Sequence, residues 1–483
     1  MTQNLLDQRW PWLLAAAAIL IVFFASMIDF RQPGEDSRPR GSIEDVAQLH
    51  ERTDLNVLFI MIDTLRAERL GSYGYDRNTS PTLDRVASEG VRFDRHLAQS
   101  SWTKASMASL WTGLHPTRAG VTRFDQVLAD EAHLPAEILQ DAGYRTVGLY
   151  RNGWVAPTFG FDQGFEIYQR PLGLPLPPNM KRENPTLYDQ GSDEGLVASA
   201  LEFLRLHSQE RWFLYLHLMD VHEYLYDEES ALFGLAYSDV YDNSIRWTDG
   251  VIEILLAHLA ELGHLEDTLI IIASDHGEAF GERGFEGHAR RVYPETTEVP
   301  LILSFPFRLD PGVVVETRTS NIDLWPTVLD LLGFEMPDVD GRSRLPEILA
   351  IGRSDPSAAA RGSSSIVSGG GGNLDSEAFA IAHLDQAWAR PTEDPKHAVA
   401  VSQGPLRYVR VDQPPEIIEQ LFDARDDPRE LRNRASQQPD AMARLAAEAE
   451  RYLELRPSWG EAPRREIPEM ELNHLRALGY AIP

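Results

Sequence analysis

Two apolar runs in this chain each end on a carboxylate: NVLFIMID, from Asn56 to Asp63, and LIIIASDHGE, from Leu269 to Glu278, where Asp275 is followed by His276. A strand buried on both faces reads as an almost unbroken hydrophobic run. Ligands of open parallel sheets collect just beyond the carboxyl ends of such strands. Two of these strands side by side would bring Asp63, Asp275 and His276 into one small volume, the outline of a metal site.

Around these runs the pattern alternates. Helical periodicity is expected near Thr82 to Ser88, Leu134 to Asp141, Glu194 to His207 and Tyr237 to Leu262; strands are expected at YRTVGLY, WFLYLHLM and VPLILSF. Such alternation predicts an α/β protein whose largely parallel sheet is covered by helices on both faces. From Gly352 to Asn373 Ser, Ala and a run of glycines show no periodicity, as in a flexible surface loop. HAVAV, LRYVRV and EIIEQLF then read as short strands, followed by a helix from Asp440 to Leu455, a small antiparallel subdomain.

At the amino terminus, Trp12 to Ile28 are apolar for 17 residues, just enough at about 1.5 Å per residue to span a bilayer core. The run is long for a signal-peptide h-region and lacks a small-x-small cleavage site, so an uncleaved single-pass anchor is expected. Arg9 on one side and Arg31, Arg38 and Arg40 on the other leave orientation undecided by charge. The expected organisation is an anchor over 1–29, a Pro/Gly-containing tether over 30–55, a catalytic α/β domain over 56–350, a loop over 351–376 and a carboxyl-terminal subdomain over 377–483.

Composition narrows the chemistry. The chain has 483 residues, 43% of them hydrophobic, ample for a large core. A formal net charge of −29 argues against nucleic acid as partner, since phosphate contacts need clustered Lys and Arg. There is no cysteine, which excludes disulfides, zinc–thiolate sites and cysteine nucleophiles.

The segment SSWTKASMASLWTG, from Ser100 to Gly113, places Thr103 where a helix begins. An N-cap hydroxyl is the bland account of that position. The functional one uses the same geometry: a helix start gathers free N–H groups and positive potential, suited to phosphate or sulfate. A hydroxyl ligated there to a divalent cation can lose its proton and attack phosphorus or sulfur.

These stretches resemble the sulfatase family within the alkaline phosphatase superfamily. The likeness runs through DTLRAERLGSYGYDRNTSPTLDRVASEGVRF, the Thr103 segment, GLHPTRAGV, MDVHEYLY, SDHGEAFGERGFEGHARRVYPETTEVPLIL, NIDLWPTVLDLLG and LFDARDDPRELRN, most of the chain from Asn56 onward. The resemblance implies an alkaline-phosphatase-like fold and a hydrolase of sulfate or phosphate esters. It implies that Asp63, Asp275 and His276 ligate the metal, with Thr103 as nucleophile and further ligand. His222 and His288 match basic residues that hold substrate oxygens, and Asn152, in LYRNGW, falls where a substrate-binding side chain is expected. It also implies an extracytoplasmic, periplasmic placement of the globular domain.

Departures from the pattern matter equally. Sulfatases proper carry Cys or Ser in C/S-x-P-S-R and convert it to formylglycine; here Thr103, Lys104, Ala105, Ser106 and Met107 stand there. Threonine cannot give that aldehyde, so no formylglycine is expected, and Lys104 is left to restore the charge of the missing Arg. Thr64 replaces a second Asp, and His276 stands where asparagine is frequent. Imidazole in place of oxygen shifts preference from Ca²⁺ towards Mn²⁺ or Zn²⁺. The pattern resembles the threonine-dependent branch of the superfamily, which includes phosphoethanolamine transferases.

Other polar residues read as structural. His217, inside WFLYLHLM, is expected in the core or at the surface, and Glu278 and Glu282 as solvated loop acids. Two other functions fit the residues: a phospho-group transferase, with an alcohol in place of water, and a non-catalytic relative binding a sulfated or phosphorylated ligand or a partner protein.

Overall fold

The structure, a computed structural model, describes residues 14–16, 36–171, 191–353, 378–477 and 482. Its centre is an eight-stranded sheet formed by β1 (Asn56–Ile62), β2 (Val91–Phe93), β3 (Arg145–Tyr150), β4 (Ile167–Gln169), β5 (Trp212–Leu218), β6 (Thr268–Ala273), β7 (Leu301–Ser304) and β8 (Val313–Val315). The spatial order is β8-β2-β7-β6-β1-β5-β3-β4. From β6 to β4 every pairing is parallel, while β7 runs antiparallel to both neighbours, so the sheet is mixed but largely parallel.

Every residue of β1 is buried. Side chains alternate across the sheet: Val57, Phe59 and Met61 enter one core with Trp111 and Trp325, while Leu58, Ile60 and Ile62 enter another. The second core is closed by helices α3 (Asp193–His207) and α4 (Tyr237–Glu261). The first holds α2 (Thr103–Thr112) and α5 (Leu324–Leu331), after α1 (Pro81–Ser88) on the other face. Phe59 meets the rings of Trp111 and Trp325 edge-on at 5.7 and 5.4 Å, an arrangement that braces α2 on β1.

Helix α2 is buried along its whole length, including Lys104, Ser106 and Ser109. It ends at Gly113, whose φ of 65° is left-handed and where a Cβ would lie 2.8 Å from Val339.

Strands β9 (Ala380–Asp385), β10 (His397–Gln403), β11 (Leu406–Gln413) and β12 (Glu416–Asp423) form an antiparallel meander. Helix α6 (Pro439–Leu453) covers one face with Leu445, Ala449 and Tyr452. The other face joins the main core through Ala382, Ala400 and Val409. The carboxyl-terminal region is therefore packed onto the catalytic body rather than a free module.

One expectation is corrected. The body starts before Asn56: Arg38, 4% exposed, donates to Ser304 Oγ at 2.6 Å and the Phe305 carbonyl at 3.0 Å, so the tether assigned to 30–55 is largely part of the fold. No helix among the described residues is long and apolar enough to cross a membrane. The expected anchor, Trp12 to Ile28, lies outside the described residues apart from 14–16, as does most of the Gly-rich loop.

Candidate active site

The register of three adjacent parallel strands assembles the centre. Met61 of β1 pairs with His217 of β5 on one side and Ala273 of β6 on the other, so Asp63, His217 and Asp275 meet at one sheet edge. One ligand atom from each of these three buried residues lies within 4.8 Å of the others. Asp63 continues the ladder, its N–H donating to the Leu218 carbonyl at 3.1 Å.

Thr103 enters from α2. The N-cap is Trp102, and Thr103 is already helical, so its hydroxyl does not cap the helix. It faces the side chains instead: His276 Nε2 lies 3.1 Å from Thr103 Oγ1, and Asn152 Nδ2 donates to the same oxygen at 3.3 Å. Asn152 also donates to Asp63 Oδ2 at 2.5 Å, and its own Oδ1 accepts from Trp154 N–H, which fixes the orientation of the amide. The structure thus brings together Asp63, Thr103, Asn152, Asp275 and His276.

His276 Nδ1 donates to the Gly277 carbonyl at 3.0 Å, which turns Nε2 towards Asp275 Oδ2 (3.3 Å) and Thr103. Asp275 is held by the backbone N–H groups of Thr64 and His276. Its carbonyl accepts from Ser106, one turn beyond Thr103 on α2, at 2.6 Å. Asn321, of the NIDLWPT motif, buttresses the same turn by donating to the Ser274 carbonyl, with His96 behind it.

Thr64 adopts φ 61°, a left-handed conformation unfavourable for a β-branched residue, at a cost of about 1–3 kcal/mol. Tyr241 holds it by donating to its carbonyl at 2.6 Å. Its hydroxyl turns to the Asp63 carbonyl, so it offers no ligand in place of the second carboxylate expected there.

The donor set fits a divalent cation. Asp63 Oδ1 and Asp275 Oδ2 are buried without a hydrogen-bond partner among the described residues, an arrangement costly for bare carboxylates. Burial raises the Asp275 carboxyl above its ordinary value, and the Asp63 charge adds to this. Burial acts on Asp63 too, but its bond to His217 and the nearby His222 and His276 outweigh it, holding that carboxyl low.

Three imidazoles line the approach: His288 lies 4.7 Å from His276 and 5.0 Å from His222, ring centre to ring centre. Burial pushes His222 down to about 4, making it a neutral hydrogen-bonding group. His288 resists the same burial because Glu278 Oε2 accepts from its Nδ1 at 3.0 Å, raising its pKa. The two histidines are therefore shifted in opposite directions.

Three residues depart from the sequence reading. His217 is neither surface nor inert core: its Nε2 lies 3.2 Å from Asp63 Oδ2, and Tyr215 contacts Nδ1 at 2.6 Å. Glu278 is 2% exposed rather than solvated. Lys104 does not charge the site. One residue past Thr103 it is about 100° further round the helix. Its amine donates to the Phe124 carbonyl at 2.7 Å and sits 3.9 Å from the Phe159 ring centre. Burial drives its pKa well below the ordinary lysine value.

Comparison with known proteins gives a consistent placement. The family model described as Sulfatase matches residues 55–334. Steryl-sulfatase of Rattus norvegicus is 26% identical over 407 residues, covering 61% of this chain and 70% of the relative. Arylsulfatase A of Homo sapiens is 28% identical over 349 residues, covering 62% and 68%. Among solved structures, a phosphonate monoester hydrolase from Silicibacter pomeroyi superposes with a TM-score of 0.61 at 22% identity, covering 82% of this chain and 95% of that one.

Proposed function

The chain belongs to the sulfatase family, and from that premise we propose a metal-dependent hydrolase of sulfate or phosphate esters in which Thr103 is the nucleophile. Two relatives named as sulfatases support sulfate esters as substrates. The neighbouring phosphonate monoester hydrolase keeps phosphorus in view. The observation that carries the proposal is the placement of the Thr103 hydroxyl: fully buried, at a helix start, and bonded to His276 and Asn152 beside two carboxylates with unpartnered oxygens.

Asp63 Oδ1, Asp275 Oδ2, His276 Nε2 and Thr103 Oγ1 would hold the cation, with His217 as a further imidazole. When bound, a divalent ion there lowers the pKa of a ligating hydroxyl and offsets negative charge on the substrate. His276 and His217 in the donor set favour Mn²⁺ or Zn²⁺ over Ca²⁺.

The remaining work falls to the chain's own groups. Asn152 steadies the Thr103 oxygen through the 3.3 Å bond. Entering the step as the alkoxide, its proton released to solvent, that oxygen forms a bond to sulfur or phosphorus as the bond to the ester oxygen breaks. His288, its pKa raised by Glu278 at Nδ1, gives a proton from Nε2 to the departing oxygen. The neutral His288 then takes a proton from water, whose oxygen bonds to sulfur or phosphorus as the bond to Thr103 breaks, restoring the enzyme. His222 donates to the equatorial oxygens throughout. Membrane attachment remains part of the proposal and rests on the apolar run from Trp12 to Ile28.

Acid quenching during turnover of an aryl ester, followed by mass spectrometry of the peptide containing Thr103, tests this reading. A sulfo- or phosphothreonine adduct is expected in the native chain, and loss of both adduct and turnover in Thr103→Ala. Turnover at the native rate in Thr103→Ala would refute it.

A further inference from the structure

A cavity of about 740 Å³ opens outward from His222 and His288, and its walls carry Arg290, Arg291, Arg390 and Lys396 with Asp412 as the single carboxylate. The chain as a whole has 74 acidic against 45 basic residues, so this cavity inverts the protein's charge balance. Such a local reversal concentrates anions against the repulsion of the remaining surface.

Two of the cations lack local compensation. Arg390 and Lys396 both bond to Glu393 at 2.8 Å, sharing one carboxylate. Arg290 and Arg291 have no carboxylate within ion-pair distance among the described residues; Arg291 instead donates to the amide of Gln386 and to the Arg290 carbonyl. Adjacent guanidiniums held together without a counter-charge are the arrangement expected of a seat for sulfate, phosphate or carboxylate.

The backbone ties this wall to the reaction centre. Ala289, between His288 and Arg290, adopts φ 55°, and its N–H donates to the Ser101 carbonyl at 2.6 Å, two residues before Thr103. The same strained turn therefore sets His288 against His276, the partner of Thr103, and places Arg290 and Arg291 on the cavity wall. A second anionic group on the substrate would be held in fixed relation to the ester being cleaved.

We propose that the preferred substrates are polyanionic, carrying at least one sulfate, phosphate or carboxylate besides the scissile ester, which Arg290 and Arg291 bind with support from Arg390 and Lys396. This rests on the assignment of His222, His288 and Thr103 as the reaction centre.

The test measures binding and turnover separately. Sucrose octasulfate is titrated calorimetrically into full-length Thr103→Ala protein at about 50 mM and about 300 mM salt, with phenyl sulfate as the monoanionic comparison. The octasulfate is expected to bind far more tightly than phenyl sulfate. Arg290→Gln/Arg291→Gln should weaken it by at least about tenfold and flatten its salt dependence, the scale of two lost charge-assisted contacts. Arg290→Lys/Arg291→Lys should retain part of the affinity, and exposed Arg390→Gln, a variant that leaves the Ala289 turn intact, should weaken binding about threefold. Octasulfate binding no tighter than phenyl sulfate, or binding unaltered by removing Arg290 and Arg291 or by Arg390→Gln, would overturn the proposal. Phenyl sulfate and phenyl phosphate turnover by the native chain is measured in parallel: absence of turnover with octasulfate binding intact would count against the Thr103 mechanism and not against the anion seat.

Discussion

Glu278→Gln isolates the charge behind His288 while keeping the shape of the side chain. The carboxylate is 2% exposed and its Oε2 accepts from His288 Nδ1 at 3.0 Å. At that separation and an effective dielectric constant of about 20, Coulomb's law allows about 5 kcal/mol as a ceiling. Hydrogen-bonded neighbouring charges shift a pKa by about 1–3 units in practice. Once the charge is gone, burial is left to pull His288 down, as it does His222. The sign follows: Glu278 raises the pKa of His288, so its removal moves the alkaline limb of the kcat profile to lower pH. At neutral pH the protonated fraction of His288 therefore falls. Alkyl esters, whose leaving oxygen needs a proton, should lose on the order of a hundredfold in kcat, the lower end of what a general acid contributes, whereas nitrophenyl esters should lose less than about fivefold. The assay is a leaving-group series crossed with pH. Equal losses across the series, or an alkaline limb that does not move, would refute the assignment of His288 as acid.

Other expectations follow from different parts of the structure. Arg151 donates to Asp193 and Asp220, both buried, and to the half-buried Glu223, so Arg151→Met should cost about 3–5 kcal/mol in urea unfolding; a loss below about 1 kcal/mol would mean that the carboxylates are neutralised otherwise. In the native chain, burial and the Asp220 charge push Asp193 up to about 7, so its contribution to stability is full below its unfolded pKa and declines as pH rises towards 7; Asp193→Asn should flatten that decline. Lys104→Met, which fills the aromatic pocket without charge, should leave kcat/KM within about threefold, because volume-conserving swaps disturb a core little; a hundredfold loss would return Lys104 to the active site. Chelation should abolish turnover and restoration with Mn²⁺ or Zn²⁺ should recover it, with Asp275→Asn failing to recover; full activity in metal-stripped protein, verified by elemental analysis, would exclude the cation.

The sequence disclosed the centre where polarity interrupts an apolar run. Asp63 and Asp275 stood out because a carboxylate ending a buried strand has few structural uses. His217 was hidden by the same logic: it lies inside the apolar run, and only the pairing of β5 beside β1, which periodicity cannot specify, aims it at Asp63. A weak signal existed in Tyr215, two residues earlier and so on the same face, an unusual polar pair in a buried strand. Glu278 was misread because the irregular turn after Asp275 has no period to indicate which side faces inward. Lys104 was misread because helix α2 has no solvent side, so a charged residue there had to find its partners in the core. The three-residue strands β2, β4 and β8 are too short for alternation to register, and the residues just before Asn56 join the body through the Arg38 contacts rather than through any pattern.

The pairing of β5, β1 and β6 also makes the sheet a ruler. Neighbouring strands sit about 4.8 Å apart, and the ligand atoms of Asp63, His217 and Asp275 fall within that same 4.8 Å of one another. Gaining or losing a single residue anywhere in Asn56–Ile62 would slide one tick mark past the others and turn the carboxylate to the opposite layer. Insertions in the outer loops leave this gauge untouched, so descendants of this scaffold can exchange substrates freely while the spacing at its heart stays locked.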